Sequence, residues 1–279
     1  MSIVDCHVHL WAGGQPSPAH RQVPALAAAT LLAEMDAAGV DAAVIQPPAW
    51  DATSNEVAVA AAAAYPERYA VLGWFPLNQT DNQSQVARWT ERPGMLGLRF
   101  TFSQPHEKTW PTDGSLDGLW EAAAAAQLPV ALACSDFLPT VGIIAQRHPR
   151  LRLLVDHLGA PLRSTGAAAY ARIDELIALA RYPNIAVKAS AAPGYSGEAY
   201  PFTDIHPYLQ RVFDAFGAQR MFWGTDITRM PCTWRQCVSL FTEELPWLRG
   251  SDLDLVMGEA LCQWIGWQRG AAASTISRG

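Results

Sequence analysis

Residues 3–11 read Ile3-Val4-Asp5-Cys6-His7-Val8-His9-Leu10-Trp11, a short apolar run that stops at two histidines. The run itself, Ile3–Cys6, has the length and make-up of a buried strand. Working outward, Ala25–Ala38 follows with helical spacing and halts at Gly39, and the next run, Ala42–Gln46, is again short and apolar. The same two kinds of segment then recur along the chain. Further strands are predicted at Tyr69–Trp74, Leu96–Phe100, Pro129–Ala133, Leu151–Val155, Ile185–Lys188 and Met221–Trp223. Further helices are predicted at Asn55–Tyr65, Ser84–Thr90, Leu116–Gln127, Leu138–Arg147, Ala167–Arg181, Ile205–Phe216 and Thr233–Glu243. Strands alternating with helices pair in parallel through crossover connections. Eight such units in 279 residues predict an α/β chain folded as a single-domain (β/α)8 TIM barrel. The barrel is expected over residues 1–268, with the Gly/Ala/Ser/Thr-rich segment 269–279 as a flexible C-terminal tail.

Composition narrows the partners. Half the residues are hydrophobic and 16% are charged, enough to bury a large core. The net charge is −6 and no Lys/Arg block occurs, which argues against nucleic acid and anionic membrane surfaces and for a small-molecule substrate. The most apolar stretch, Val57–Tyr65, falls far short of the ~20 residues of a membrane span. The first residues, MSIVDCHVHLW, lack the basic and apolar regions of a signal peptide. Five cysteines without a C-x-x-C pattern fit reduced thiols in a cytoplasmic chain better than a disulfide framework. Oligomeric state is left open, a homo-oligomer included.

In parallel barrels, chemistry gathers at the C-terminal ends of the strands. Here those ends carry His7 and His9, Gln46, Trp74, Arg99 and Thr101, Ser135 and Asp136, Asp156 and His157, Lys188 and Ser190, and Asp226. Residues two apart on a strand share a face, so His7 and His9 are expected to point into the barrel mouth while Cys6 and Val8 pack outward. Two converging imidazoles suit a transition metal or a carbonyl gaining negative charge; two polar residues ending a strand is the plain alternative. Asp156-His157 brings a third imidazole, or else a helix cap. Asp226 follows the last strand, so barrel closure should set it beside His7 and His9 as metal ligand, general base for water, or both. Arg99 can hold a substrate carboxylate, or pair with a structural Asp such as Asp136. Lys188 at the mouth can bind an anion, be carbamylated as a ligand bridging two metals, or snorkel outward. Trp11, Trp50 and Trp74 stand at or beyond strand ends as candidate pocket walls or core fillers. His20, His106 and His148 read as surface or loop residues, and His206 as part of a loop over the mouth.

Three stretches resemble a known family. Val4–Trp11, Leu154–Pro161 and Phe216–Asp226 are similar, in order, to the amidohydrolase superfamily, and more narrowly to its amidohydrolase 2 branch of sugar-acid lactonases, 2-pyrone-4,6-dicarboxylate lactonase and non-oxidative decarboxylases. The resemblance runs from Ser2 to about Trp267. It implies a distorted (β/α)8 barrel and one divalent metal, usually zinc, or none. By motif, His7 and His9 match the family's strand-one pair, His157 its strand-five histidine and Asp226 its strand-eight aspartate. Lys188 stands on strand six, where many decarboxylases carry histidine, and Val256-Met257-Gly258-Glu259-Ala260 lacks the family's usual Asn. The implied function is opening of a lactone, with Asp226 and His157 catalytic, His7, His9, His157 and Asp226 as metal ligands, and Arg99, Lys188, Trp74 and Ser190 around the substrate. The alternative is metal-dependent decarboxylation of an aromatic or muconate-type acid.

Overall fold

The computed structural model describes residues 1–75, 77, 82–102, 107 and 109–269. Its eight strands are β1 (Val4–Val8), β2 (Ala42–Ile45), β3 (Tyr69–Trp74), β4 (Met95–Phe100), β5 (Val130–Leu132), β6 (Leu153–Val155), β7 (Ile185–Ala189) and β8 (Met221–Trp223). They pair in parallel in chain order, so every predicted strand joins one ladder. His157 therefore follows β6 and Lys188 lies on β7, one strand later than the family numbering suggested. The helices are α1 (Ala28–Ala38), α2 (Ser54–Ala64), α3 (Asn82–Ala87), α4 (Asp117–Ala125), α5 (Leu138–Arg147), α6 (Ile173–Ala178), α7 (His206–Phe216), α8 (Trp234–Ser239), α9 (Gly250–Asp254) and α10 (Ala260–Ile265). The single long helix predicted over Ala167–Arg181 is instead α6 between two short 3-10 turns, Gly166–Ala168 and Leu179–Arg181. The proposed tail beyond Arg269, and His106, lie outside the described residues.

Alternation along the strands separates two apolar layers. Ala43, Ile45, Val71, Leu98, Val130, Leu153, Val187 and Met221 face outward and pack with the helices. Val4, Cys6, Ala42, Val44, Ala70, Leu72, Ala131, Leu154, Ala186 and Phe222 fill the inside. Small residues there leave room for α10, which no sequence pattern announced: Ala260, Leu261 and Ile265, with Trp267, join this interior cluster and plug the end opposite the strands' C-terminal ends.

The expectation that Cys6 packs outward is corrected here. Register shifts along β1 between Asp5 and Val8: Asp5 faces Ala43 and Val8 faces Ile45, so Cys6 and His7 together oppose Val44. This bulge keeps Cys6 in the interior cluster and Val8 in the outer layer, with His7 as the extra residue between them.

The β1–β8 seam is made largely by side chains. The Asp226 backbone N–H donates to the His7 carbonyl at 2.8 Å, and Asp5 accepts from the Thr225 N–H at 2.9 Å and its hydroxyl at 2.5 Å. The Trp234 indole N–H reaches the same carboxylate at 3.1 Å. Glycine is required at 224, because a Cβ there would sit 2.4 Å from Cys6 Sγ and 3.0 Å from Asp5 Oδ1.

Candidate active site

At the C-terminal end of the strands lies a cavity of about 500 Å³. Its floor and walls include His9, His20, Trp50, Trp74, Arg99, Asp156, His157, Asp226 and Arg229. The seam delivers Asp226 directly: its backbone is left-handed, φ 52°, as is that of His157, φ 54°. Two non-glycine residues in this costly conformation, both at the cavity, mark backbone bent to aim side chains.

Asp226 is buried and approached from several sides. Arg229 Nε lies 2.5 Å from Oδ2, His157 Nε2 3.7 Å from Oδ2, and His9 Nε2 3.3 Å from Oδ1. Burial alone would raise its pKa, but Arg229, then His9 and His7, outweigh burial and hold the carboxyl well below the usual range. His9 Nδ1–H donates to the Gln46 carbonyl at 2.5 Å, which fixes the proton on Nδ1 and leaves Nε2 facing the carboxylate. Ser190 Oγ lies 2.8 Å from His157 Nδ1 and orients that ring. Burial, then Arg229, pushes the His157 pKa down to about 3, and burial, then His157, holds His7 well below its ordinary value, so both imidazoles are neutral at pH 7.

The other predicted residues fall into two groups. Trp74 lines the cavity, its backbone clamped by Asn55: Nδ2 donates to the Trp74 carbonyl at 2.6 Å and Oδ1 accepts from its N–H at 3.0 Å. Arg99 also lines it, and its ion pair is with Asp156, Nε to Oδ2 3.0 Å. Lys188 lies fully buried beneath, with Nζ 2.9 Å from Asp156 Oδ1. Asp156 is thus no helix cap but a hub between two cations; burial opposes its charge, yet Lys188 and then Arg99 hold its carboxyl well below the usual range. Trp11 is a core residue whose indole donates to the Val23 carbonyl.

Two site residues were missed, and one expectation is reversed. His20 is not a surface histidine: its Nδ1 lies 2.7 Å from Thr228 Oγ1 and 3.9 Å from Asp226 Oδ1, and its ring lies 5.1 Å from that of His9. The signal was its place in the segment after β1, which opens at the mouth. Arg229 could have been read from its position three residues after Asp226. His206, expected over the mouth, starts α7 and donates from Nε2 to the Pro201 carbonyl at 2.8 Å.

The donor set fits a cation. Both nitrogens of buried His7 and Oδ1 of Asp226 lack a hydrogen-bond partner. Ligand atoms of His7, His157 and Asp226 lie within 4.8 Å of one another, as do those of His9, His20 and Asp226. Neutral imidazoles with a carboxylate are what a divalent transition ion such as zinc requires. Among the described residues, no helix is long and apolar enough to cross a membrane.

A family model for amidohydrolases matches residues 4–275. An L-fucono-1,5-lactonase from Burkholderia ambifaria is 33% identical over 161 residues, 56% of this chain and 54% of that protein, so the match spans about half the length of that relative. A zinc-bound amidohydrolase structure from Burkholderia multivorans superposes with a TM-score of 0.80 at 20% identity, over 96% of this chain and 100% of the other. The structure of a putative 2-pyrone-4,6-dicarboxylic acid hydrolase from Pseudomonas putida gives 0.74 at 19% identity, over 96% and 98%. At these identities the structural likeness speaks for the fold alone. The family match takes in all eight strands and the residues at their ends; the chain belongs to the amidohydrolase family.

Proposed function

We propose that this chain opens a lactone, the cyclic ester of a small hydroxyl- or carboxylate-bearing molecule. The observation that carries the reading is the buried Asp226 carboxylate at the floor of the cavity, held by Arg229 at 2.5 Å well below the usual carboxyl range, with neutral His157 beside it and His9 Nε2 3.3 Å away. Asp226 is placed to take a proton from water as the water oxygen attacks the ring carbonyl carbon. The carbonyl π electrons move to its oxygen. Arg99 lines the cavity beside the attacked carbonyl's place, and its guanidinium favours that oxyanion. Collapse breaks the ring C–O bond, and Asp226 returns the proton to the leaving alkoxide. His157, oriented by Ser190, donates or accepts at the reacting oxygen.

Arg99 and Trp74 line the cavity and would meet the substrate; Lys188 acts through Asp156 and Ser190 through His157. His7, His157 and Asp226 would hold one divalent cation, with His9 reaching the same carboxylate at 3.3 Å; zinc is the proposal, and it would supply Lewis-acid polarisation and a lower pKa for an adjacent water. The lactonase from Burkholderia ambifaria and the pyrone hydrolase fold support the same reading. Decarboxylation needs a proton donor for a ring carbon, and an Asp226 held ionised supports a base instead.

The test is a panel of sugar-acid lactones, a pyrone dicarboxylate and aromatic carboxylic acids, read by proton release and by bicarbonate formation. Proton release from a lactone without bicarbonate is the expected outcome. Bicarbonate from an aromatic acid, with inert lactones, would overturn the proposal.

A further inference from the structure

Outside the cavity, two thiols lie together. Helix α8 begins with a capping box: Thr233 Oγ1 accepts from the Gln236 N–H at 3.2 Å, and Gln236 Oε1 accepts from the Thr233 N–H at 3.0 Å. A capping box is commonly flanked by contact between the residue before the cap and the fourth helical residue. Here those two positions are Cys232 and Cys237, and the cap geometry brings their Sγ atoms to 3.5 Å. Two apolar side chains would serve this contact equally well, yet both are thiols.

The two differ in a useful way. Cys232 is half-buried and Cys237 buried, so a reagent reaches Cys232 first. A hydrogen bond from the Cys237 thiol favours the Cys232 thiolate, and the same bond, followed by burial, pushes the Cys237 thiol up. The thiolate is the attacking species in exchange. Cys6 and Cys134 are buried in the core, and Cys262 lies on α10 near the opposite end of the barrel.

We propose that Cys232 and Cys237 are a redox-modification site that closes to an intrachain disulfide by exchange with small-molecule disulfides of the glutathione type. The Cys232 thiolate attacks one sulfur of the oxidised reagent, forming a mixed disulfide and releasing one thiolate. Cys237 then attacks the Cys232 sulfur, its proton passing to the second leaving thiolate. The reagent is reduced to two thiols, and the protein loses two hydrogen atoms. Closure needs the sulfurs to move from 3.5 Å to about 2.05 Å, and the chain between them is the Cys232–Thr233 junction and the first turn of α8. Cys232 lies three residues after Arg229, so closure ties the chain next to the partner of Asp226 to α8.

The experiment uses the full chain, incubated natively with oxidised glutathione, alkylated and analysed by peptide mass spectrometry. Expected are a fall from five titratable thiols to three after denaturation, a 232–237 linkage, and reversal by dithiothreitol. Cys237→Ala should trap glutathione on Cys232, and Cys232→Ala should abolish modification of Cys237. Five thiols retained in the native chain, linkage only in denaturant, or glutathione persisting on unmutated Cys232 without closure would each overturn the proposal.

Discussion

At the scale of the residue, the site rests on carboxylates whose charge is held by cations. Asp226→Asn keeps the shape of the side chain but removes the proton acceptor. Its kcat/KM should fall by roughly 10²-fold or more with the far-ultraviolet circular dichroism unchanged, as measured on whichever lactone turns over fastest. Lys188 is a different matter. It is fully buried against Asp156, so Lys188→Met leaves that carboxylate with Arg99 alone. Removing one partner of a buried pair costs about 3–5 kcal/mol, and urea unfolding should lose stability on that order. A midpoint equal to that of the parent would mean that Lys188 is dispensable to Asp156. His7 carries the metal proposal most directly, since both of its nitrogens lack partners. His7→Ala should weaken zinc binding by roughly 10-fold or more in equilibrium dialysis, because a ligand is lost outright.

At the scale of the element, β1 shows what sequence could and could not reveal. The apolar run, the two histidines and the distant Asp226 were readable, because burial and strand ends leave a pattern in composition. The bulge was not. Nothing in Asp5-Cys6-His7-Val8 records that two residues face one across the ladder, and that count decides where Cys6 points. The seam is similar: Gly224 reads as an ordinary turn residue until β8 meets β1. Gly224→Ala would drive a methyl into Cys6 Sγ and the β1 backbone, and overpacking of that kind costs about 1–3 kcal/mol. A shifted denaturant midpoint with unchanged m-value would report it. His20 escaped notice for a physical reason too: its partners Thr228 and Asp226 lie more than 200 positions away, and only closure brings them near.

At the scale of the whole molecule, buried neutral imidazoles set an acid limit. The His20 pKa is lowered from 6.5 to about 4 by burial, and that of His157 from 6.5 to about 3. Both rings take up protons in the unfolded chain below about 6.5 but not in the folded one. Their contribution is therefore present above that pH and is lost as pH falls towards 4 and 3. Asp5 works the other way: burial lifts its carboxyl to about 7 against four donors, so its contribution is greatest at low pH and is lost as pH rises from 3.8 to about 7. His20→Asn keeps a group near Thr228 but removes one titration. Its stability should fall less steeply than the parent's between pH 6.5 and 4 in urea melts; equal slopes would show that His20 is protonated alike in both states.

The plug at the far end of the barrel carries a consequence for synthesis. Val4, Ala42 and Ala70 wait for Leu261, Ile265 and Trp267 to cover them. On the ribosome, at ~5–20 residues per second, β8 emerges seconds before α10. During that interval the apolar residues that α10 covers stand exposed, a surface on which chaperones would be expected to dwell until α10 clears the exit tunnel.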